Sequence, residues 1–285
     1  MARQPEQLIV LVCALTYMLT LEIPAYFLDK LGMPGVAFVH NRFSIGFLFE
    51  RMPLYIIALY LSLLPLAFMI VDRLGIFGRK HGVLIGAVCV GFVHHAFYEI
   101  FDHYGPQYHW WRWNYEIGYQ HLRLDSVPMD SLVGFSMLGP FAFTVCVQAL
   151  VLRPQGSRSL GGAATVGRTL LAGVASTALL GVLVSTVAGL SVLSADGSPY
   201  RVVAEVICYG MVAVFGLVTV RALRAEPPER IPVGSLEGVF SVVYLAVFAA
   251  CGSTLCPRIC MPSTGPPASA RPRVICRMSL AAMPS

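Results

Sequence analysis

Residues 82–101, GVLIGAVCVGFVHHAFYEIF, run apolar for twelve positions and then, still within one span, place His94, His95 and Glu99, with Asp102 and His103 just beyond. Twenty residues at 1.5 Å each cross a hydrocarbon core of about 30 Å, so the stretch reads as a membrane-crossing helix. Ionisable groups at membrane depth are costly to place and mark a site by default.

Outward from this segment the chain repeats the apolar theme. Further runs cover approximately Leu8–Leu28, Pro53–Val71, Val127–Leu152, Thr169–Leu193, Val202–Val220 and Val233–Cys251. Backbone polar groups in lipid must pair within their own segment unless a barrel closes, and these runs lack the polar alternation of barrel strands. Only 12% of the 285 residues are charged, at a mean hydropathy of +0.71; about 25% is usual for a soluble domain. The fold class is therefore all-α, a polytopic transmembrane bundle of about seven helices. Leu8–Leu28 exceeds a signal-peptide core, holds Glu22 and Pro24, and precedes no A-x-A-like site, so it reads as a retained first helix.

Arg73, Arg79 and Lys80, then Arg153, Arg158 and Arg168, then Arg221, Arg224 and Arg230 fall in alternate loops, and these loops together with the N-terminus are expected in the cytoplasm. Loop 29–52 runs against the pattern with Lys30, Arg42 and Arg51. The expected location is a bacterial plasma membrane. The net charge of +5 follows from arginines at helix ends and requires no nucleic acid as partner.

Composition changes near Cys251. Residues 252–285 are rich in Cys, Pro and Arg and show no apolar periodicity, so the transmembrane domain is placed at 1–251 and the remainder reads as a disordered or aberrant tail, the product of a frame-shifted read-through in the latter case. Cys256 and Cys260 lack the paired spacing of a zinc site. Cys13, Cys89, Cys146 and Cys208 lie singly in helices, as small buried apolar residues do. Gly173, Gly181 and Gly189 recur at eight-residue spacing, which suits close helix packing.

On a helix, residues four apart share a face, so His95, Glu99 and either Asp102 or His103 stand in one line. Two chemistries suit that line. Glu99 or Asp102 can serve as a proton donor with a histidine tuning it. Alternatively His95, Glu99 and His103 can hold Zn²⁺, Fe²⁺ or Mn²⁺. Mutual pairing at the membrane interface is the third, non-chemical use. Glu22, Asp125, Asp130 and Glu205 are expected at the same depth, where with Glu99 and Asp102 they would line one cavity. Tyr98 and the cluster Trp110, Trp111 and Trp113 offer ring faces for an elongated apolar ligand or a developing carbocation, although an aromatic belt has the same composition. No phosphate loop, haem motif, nucleophile elbow or dinucleotide fingerprint occurs, so no cofactor is specified.

Glu99, the run Trp110-Trp111-Arg112-Trp113-Asn114, and the run from Asp125 through Val127-Pro128 to Gly134-Phe135 resemble the membrane carotenoid-hydratase type of protein. There an acidic helix leads to a Trp-rich loop and a V-P-x5-G-W helix start; Phe135 stands where those proteins have Trp. The likeness covers about 40 of the 285 residues, Glu99 to Phe135. It implies water addition to, or proton-initiated rearrangement of, an isoprenoid double bond, with Glu99, Asp102, Asp125 or Asp130 as the acid. The leading expectation is thus an enzyme working on a lipid or isoprenoid by carboxylate acid–base chemistry near the outer leaflet. A metal-dependent hydrolase or oxidase and a transporter or membrane-complex subunit are the rivals.

Overall fold

The structure, a computed structural model, describes residues 4–32, 37–41, 45–154, 162–195, 198–225 and 235–259. Six helices are long and apolar enough to cross a membrane: α1 Gln4–Tyr26, α2 Leu54–Arg73, α3 Gly82–Gln107, α4 Asp130–Leu152, α5 Gly162–Leu193 and α6 Arg201–Ala225. They fit an integral membrane protein, an all-α bundle as the apolar runs foretold. The seventh expected span is helical as α7, Leu236–Ile259, but its apolar part among the described residues is Gly238–Ala250, shorter than a span. That helix also continues eight residues past Cys251, to Ile259, with Pro257 inside its last turn. The chain divides at this helix into a unit Met1–Val243 and a second unit from Tyr244, whose described part is helical to Ile259.

Within the first unit α4 is central. Two thirds of its apolar window (67%) is buried against 17% for α6, so α4 is wrapped by protein while α6 turns mostly outward. Its winding is unusual. Asp130–Leu138 and Gln148–Leu152 are π-helical, and only Gly139–Val147 between them is α-helical. The wider i→i+5 turn brings Ser131 and Ser136 onto one side. Pro140 adds to this: it has no N–H to offer the carbonyl of Ser136 four residues back.

The core joins Tyr17 of α1, Phe68 of α2, Val90 of α3, Phe143 of α4 and Leu180 of α5. Of the three glycines at eight-residue spacing, only Gly173 meets a partner closely; a Cβ there would lie 2.6 Å from Cβ of Thr16, whereas Gly181 and Gly189 face open space. Cys13, Cys89, Cys146 and Cys208 are buried free thiols, and Cys251, Cys256, Cys260 and Cys276 lie outside the residues whose side chains are described.

The connections after α1 and α3 meet. Strand β1, Phe38–His40, is followed by the short pair β2 Gly46–Phe47 and β3 Met52–Pro53, and β1 pairs antiparallel with β4, Trp111–Trp113, in the register Phe38↔Trp113 and His40↔Trp111. A further hairpin, β5 Arg123–Leu124 and β6 Val127–Pro128, leads into α4. The C-terminal end of α5 anchors this cap: Ser191 Oγ accepts from the Leu122 N–H at 2.9 Å and donates to the Gly118 carbonyl at 3.2 Å. At the other end Arg79 donates to the Ala222 carbonyl at 2.6 Å, tying the α2–α3 turn to the end of α6. Connections therefore alternate between two ends, as in an up-and-down bundle.

Candidate functional site

A small cavity of about 40 Å³ lies beneath the cap. α1 contributes Glu22, α2 contributes Ile56, Leu59 and Tyr60, α3 contributes Tyr98, Phe101 and Asp102, and α4 contributes Ser131 and Phe135. Phe38 and His40 of β1 and Trp111 and Trp113 of β4 form the remaining wall. Alternation along a strand explains that wall, since Trp111 and Trp113 point inward and Arg112 outward. A second, smaller space of about 10 Å³ continues past Leu59, Tyr60, Tyr98 and Phe135 toward Tyr17, His94 and Pro140.

Two carboxyl groups line this apolar space. Asp102 is fully buried (0% exposed), and its Oδ2 accepts from Ser131 Oγ at 2.6 Å, while Oδ1 has no hydrogen-bond partner among the described residues. Glu22 is 6% exposed; its Oε1 accepts from Tyr60 Oη at 2.5 Å, and Oε2 likewise has no partner among them. Each acid is thus held by one hydroxyl and keeps one oxygen uncommitted.

The face of α3 separates the acids. Phe101 and Asp102, three and four residues past Tyr98, face the cavity with it, whereas Glu99 lies about 100° around the helix from Tyr98. Glu99 stands between His95 and His103, with Nδ1 of each 3.4 Å from a carboxylate oxygen. The helix extends six residues beyond Phe101, to Gln107, which makes His103 rather than Asp102 the third member of that line. His103 Nδ1 donates to the Glu99 carbonyl at 2.9 Å. His95 Nδ1 bonds Ser136 Oγ at 2.8 Å, and Ser136 Oγ itself donates to the Leu132 carbonyl. His94 reaches the same residue, donating from Nδ1 at 2.7 Å to the Ser136 carbonyl, to which Pro140 offers no N–H. Among the described residues no group of three or more His, Cys, Asp or Glu side chains stands in an arrangement that could hold a metal ion. The His95, Glu99 and His103 set is a line along a helix, with each Nδ1 engaged by protein, and not a convergent cage.

The other expected site residues divide. Asp130, 5% exposed, begins α4 close enough to Asp102 for their charges to interact, without lining the cavity. Asp125 is exposed at the β5–β6 turn with a left-handed φ of 52°. Glu205 pairs with Arg201 at 3.2 Å on α6. Trp110 lies against Tyr108 and Phe101, outside the cavity, while Trp111 and Trp113 line it.

His40 and three tyrosines were not singled out by the sequence. His40 Nε2 meets Tyr26 Oη at 2.8 Å and Nδ1 meets Tyr55 Oη at 2.6 Å, so one imidazole fixes the ends of α1 and α2 to the cap. The alternation Phe38-Val39-His40 opposite the tryptophans was the available signal. Burial pushes the His40 imidazole down to about 3, so it stays neutral. The unfolded chain takes up a proton here below about pH 6.5 that the folded chain refuses, so acid favours unfolding. This contribution to stability is present above pH 6.5 and lost as the pH falls from there toward 3, by up to about 1.4 kcal/mol per pH unit. Melting curves of wild type and His40→Gln across that window should converge at low pH; parallel curves would refute the assignment.

No family model, curated protein or solved structure matches the chain. Fold and cavity alone define the class, a helical membrane protein with a carboxyl-bearing, aromatic-walled cavity beneath a cap of paired strands.

Proposed function

We propose that this protein is a membrane enzyme that acts on an isoprenoid or other apolar lipid by proton transfer, with Asp102 as the acid–base group and Glu22 as its partner across the cavity. The observation that carries the reading is the pair of buried carboxyls, each with one unpartnered oxygen, lining a single aromatic cavity. A carboxyl positioned against a double bond can deliver a proton to carbon, and the faces of Trp111, Trp113, Phe101 and Tyr98 can stabilise the cation that forms. The resemblance of residues 99–135 to carotenoid-hydratase-type proteins supports the same reaction class. Glu99, Asp125 and Asp130 then serve outside the reacting centre, Asp130 as an acid complementing the start of α4.

On this reading the N-terminus lies in the cytoplasm of a bacterium, with the cap and cavity toward the outer leaflet. The set Arg73, Arg79, Lys80, Arg153, Arg168, Arg221 and Arg224, at the ends of helices away from the cap, supports that orientation. Mass spectrometry of lipid retained by detergent-purified protein tests the cavity. An apolar lipid bound at about one per chain is expected, and it should be displaced in Leu59→Trp, which fills the space shared by both chambers. Retention unchanged by that substitution would count against the site.

A further inference from the structure

Four buried polar atoms, all on residues that line the cavity, have no hydrogen-bond partner among the described residues: Asp102 Oδ1, Glu22 Oε2, and the indole Nε1 of Trp111 and Trp113. All four residues are at least nine-tenths buried, and all four line the same cavity. Buried polar groups are rarely left unpaired, least of all in apolar surroundings. An indole N–H can only donate, so the two tryptophans call for an acceptor, and no hydrocarbon provides one. Trp110, the third tryptophan, lies outside this wall.

Resting on the reading of this cavity as a lipid site, we infer that its ligand carries an oxygen on its apolar body, a hydroxyl or carbonyl, read by the indole N–H groups of Trp111 and Trp113. A hydroxyl fits best. Its oxygen accepts from an indole, and its proton can be donated to Asp102 Oδ1 or Glu22 Oε2. The site therefore discriminates an isoprenoid alcohol from the matching hydrocarbon, since the hydrocarbon would seal the four atoms in without partners.

The chain has three tryptophans, all within Trp110–Trp113, so its intrinsic tryptophan emission reports on this region alone. Titrating the full-length protein in nanodiscs with farnesol and with farnesene, a hydrocarbon of the same length, separates the readings. Saturable farnesol binding at least ten-fold tighter than farnesene is expected. Trp111→Phe and Trp113→Phe should each weaken farnesol several-fold more than farnesene. Equal affinity of the two probes, or equal weakening of both by Trp→Phe, would overturn the oxygen-reading role while leaving the apolar cavity standing. Failure of both probes to saturate would overturn the cavity reading and this inference together. The wild-type comparison decides even if a tryptophan variant does not fold.

Discussion

Asp102→Asn is expected to lower turnover by a factor of about 10² to 10⁴, the usual range for a positioned acid–base group, while leaving the fold intact. The substitution keeps the side chain's shape and an oxygen able to accept from Ser131 at the 2.6 Å contact, so the packing of α3 on α4 is preserved. What disappears is the ability to give and take a proton at the uncommitted oxygen. Glu99→Gln is the informative companion. Glu99 lies off the cavity wall, between His95 and His103, and its replacement should cost less than about ten-fold because it touches no reacting atom. Product formation from the retained lipid, measured for both variants beside their melting temperatures, decides between them. The reverse ranking, with Glu99→Gln dead and Asp102→Asn active, would move the chemistry to the histidine line.

Gly105→Val should unseat the cap. A Cβ at Gly105 would overlap the six-membered ring of Trp111, which packs directly on the backbone of α3. Trp111 in turn pairs through β4 with His40 of β1, and its ring packs on Phe101 at 4.9 Å between centroids. An added side chain must push this indole out of the wall, and overpacking of this kind costs about 1–3 kcal/mol. The variant should melt several degrees lower, with red-shifted tryptophan emission as the ring meets water or headgroups. A second substitution, Trp111→Leu, makes room again, so the double variant should lose less stability than the two single effects summed. An unchanged melting temperature in Gly105→Val would show that the ring does not sit on the helix backbone.

The spans were legible because a helix in lipid needs some twenty apolar residues in sequence, a local property. Glu22 was legible for the same reason, as a charge amid Leu19, Leu21 and Ile23. The choice between Glu99 and Asp102 was not. Both occur within one turn, and which of them meets a cavity depends on where α2 and α4 pack around α3, a non-local matter. The π-helical winding of α4 was equally hidden; it turns Ser131 to Asp102 and Ser136 to His94 and His95, and no spacing of apolar residues announces it. The cap is not legible in the sequence because loop 29–52 stands out only by its charges, whereas its contribution lies in Phe38 and His40, paired with a loop some seventy residues away. Asp125, expected at the depth of the other acids, instead lies exposed at the β5–β6 turn.

On the proposed reading, this cavity transfers protons to or from carbon. Incubating the protein in D2O with a total membrane-lipid extract, and following deuterium in the lipids by mass spectrometry, tests it whatever the substrate is. Wild type should place solvent deuterium on carbon in one isoprenoid or apolar lipid class, and Asp102→Asn should abolish that incorporation. Lipids that stay unlabelled with wild type, or label equally with Asp102→Asn, would contradict the account.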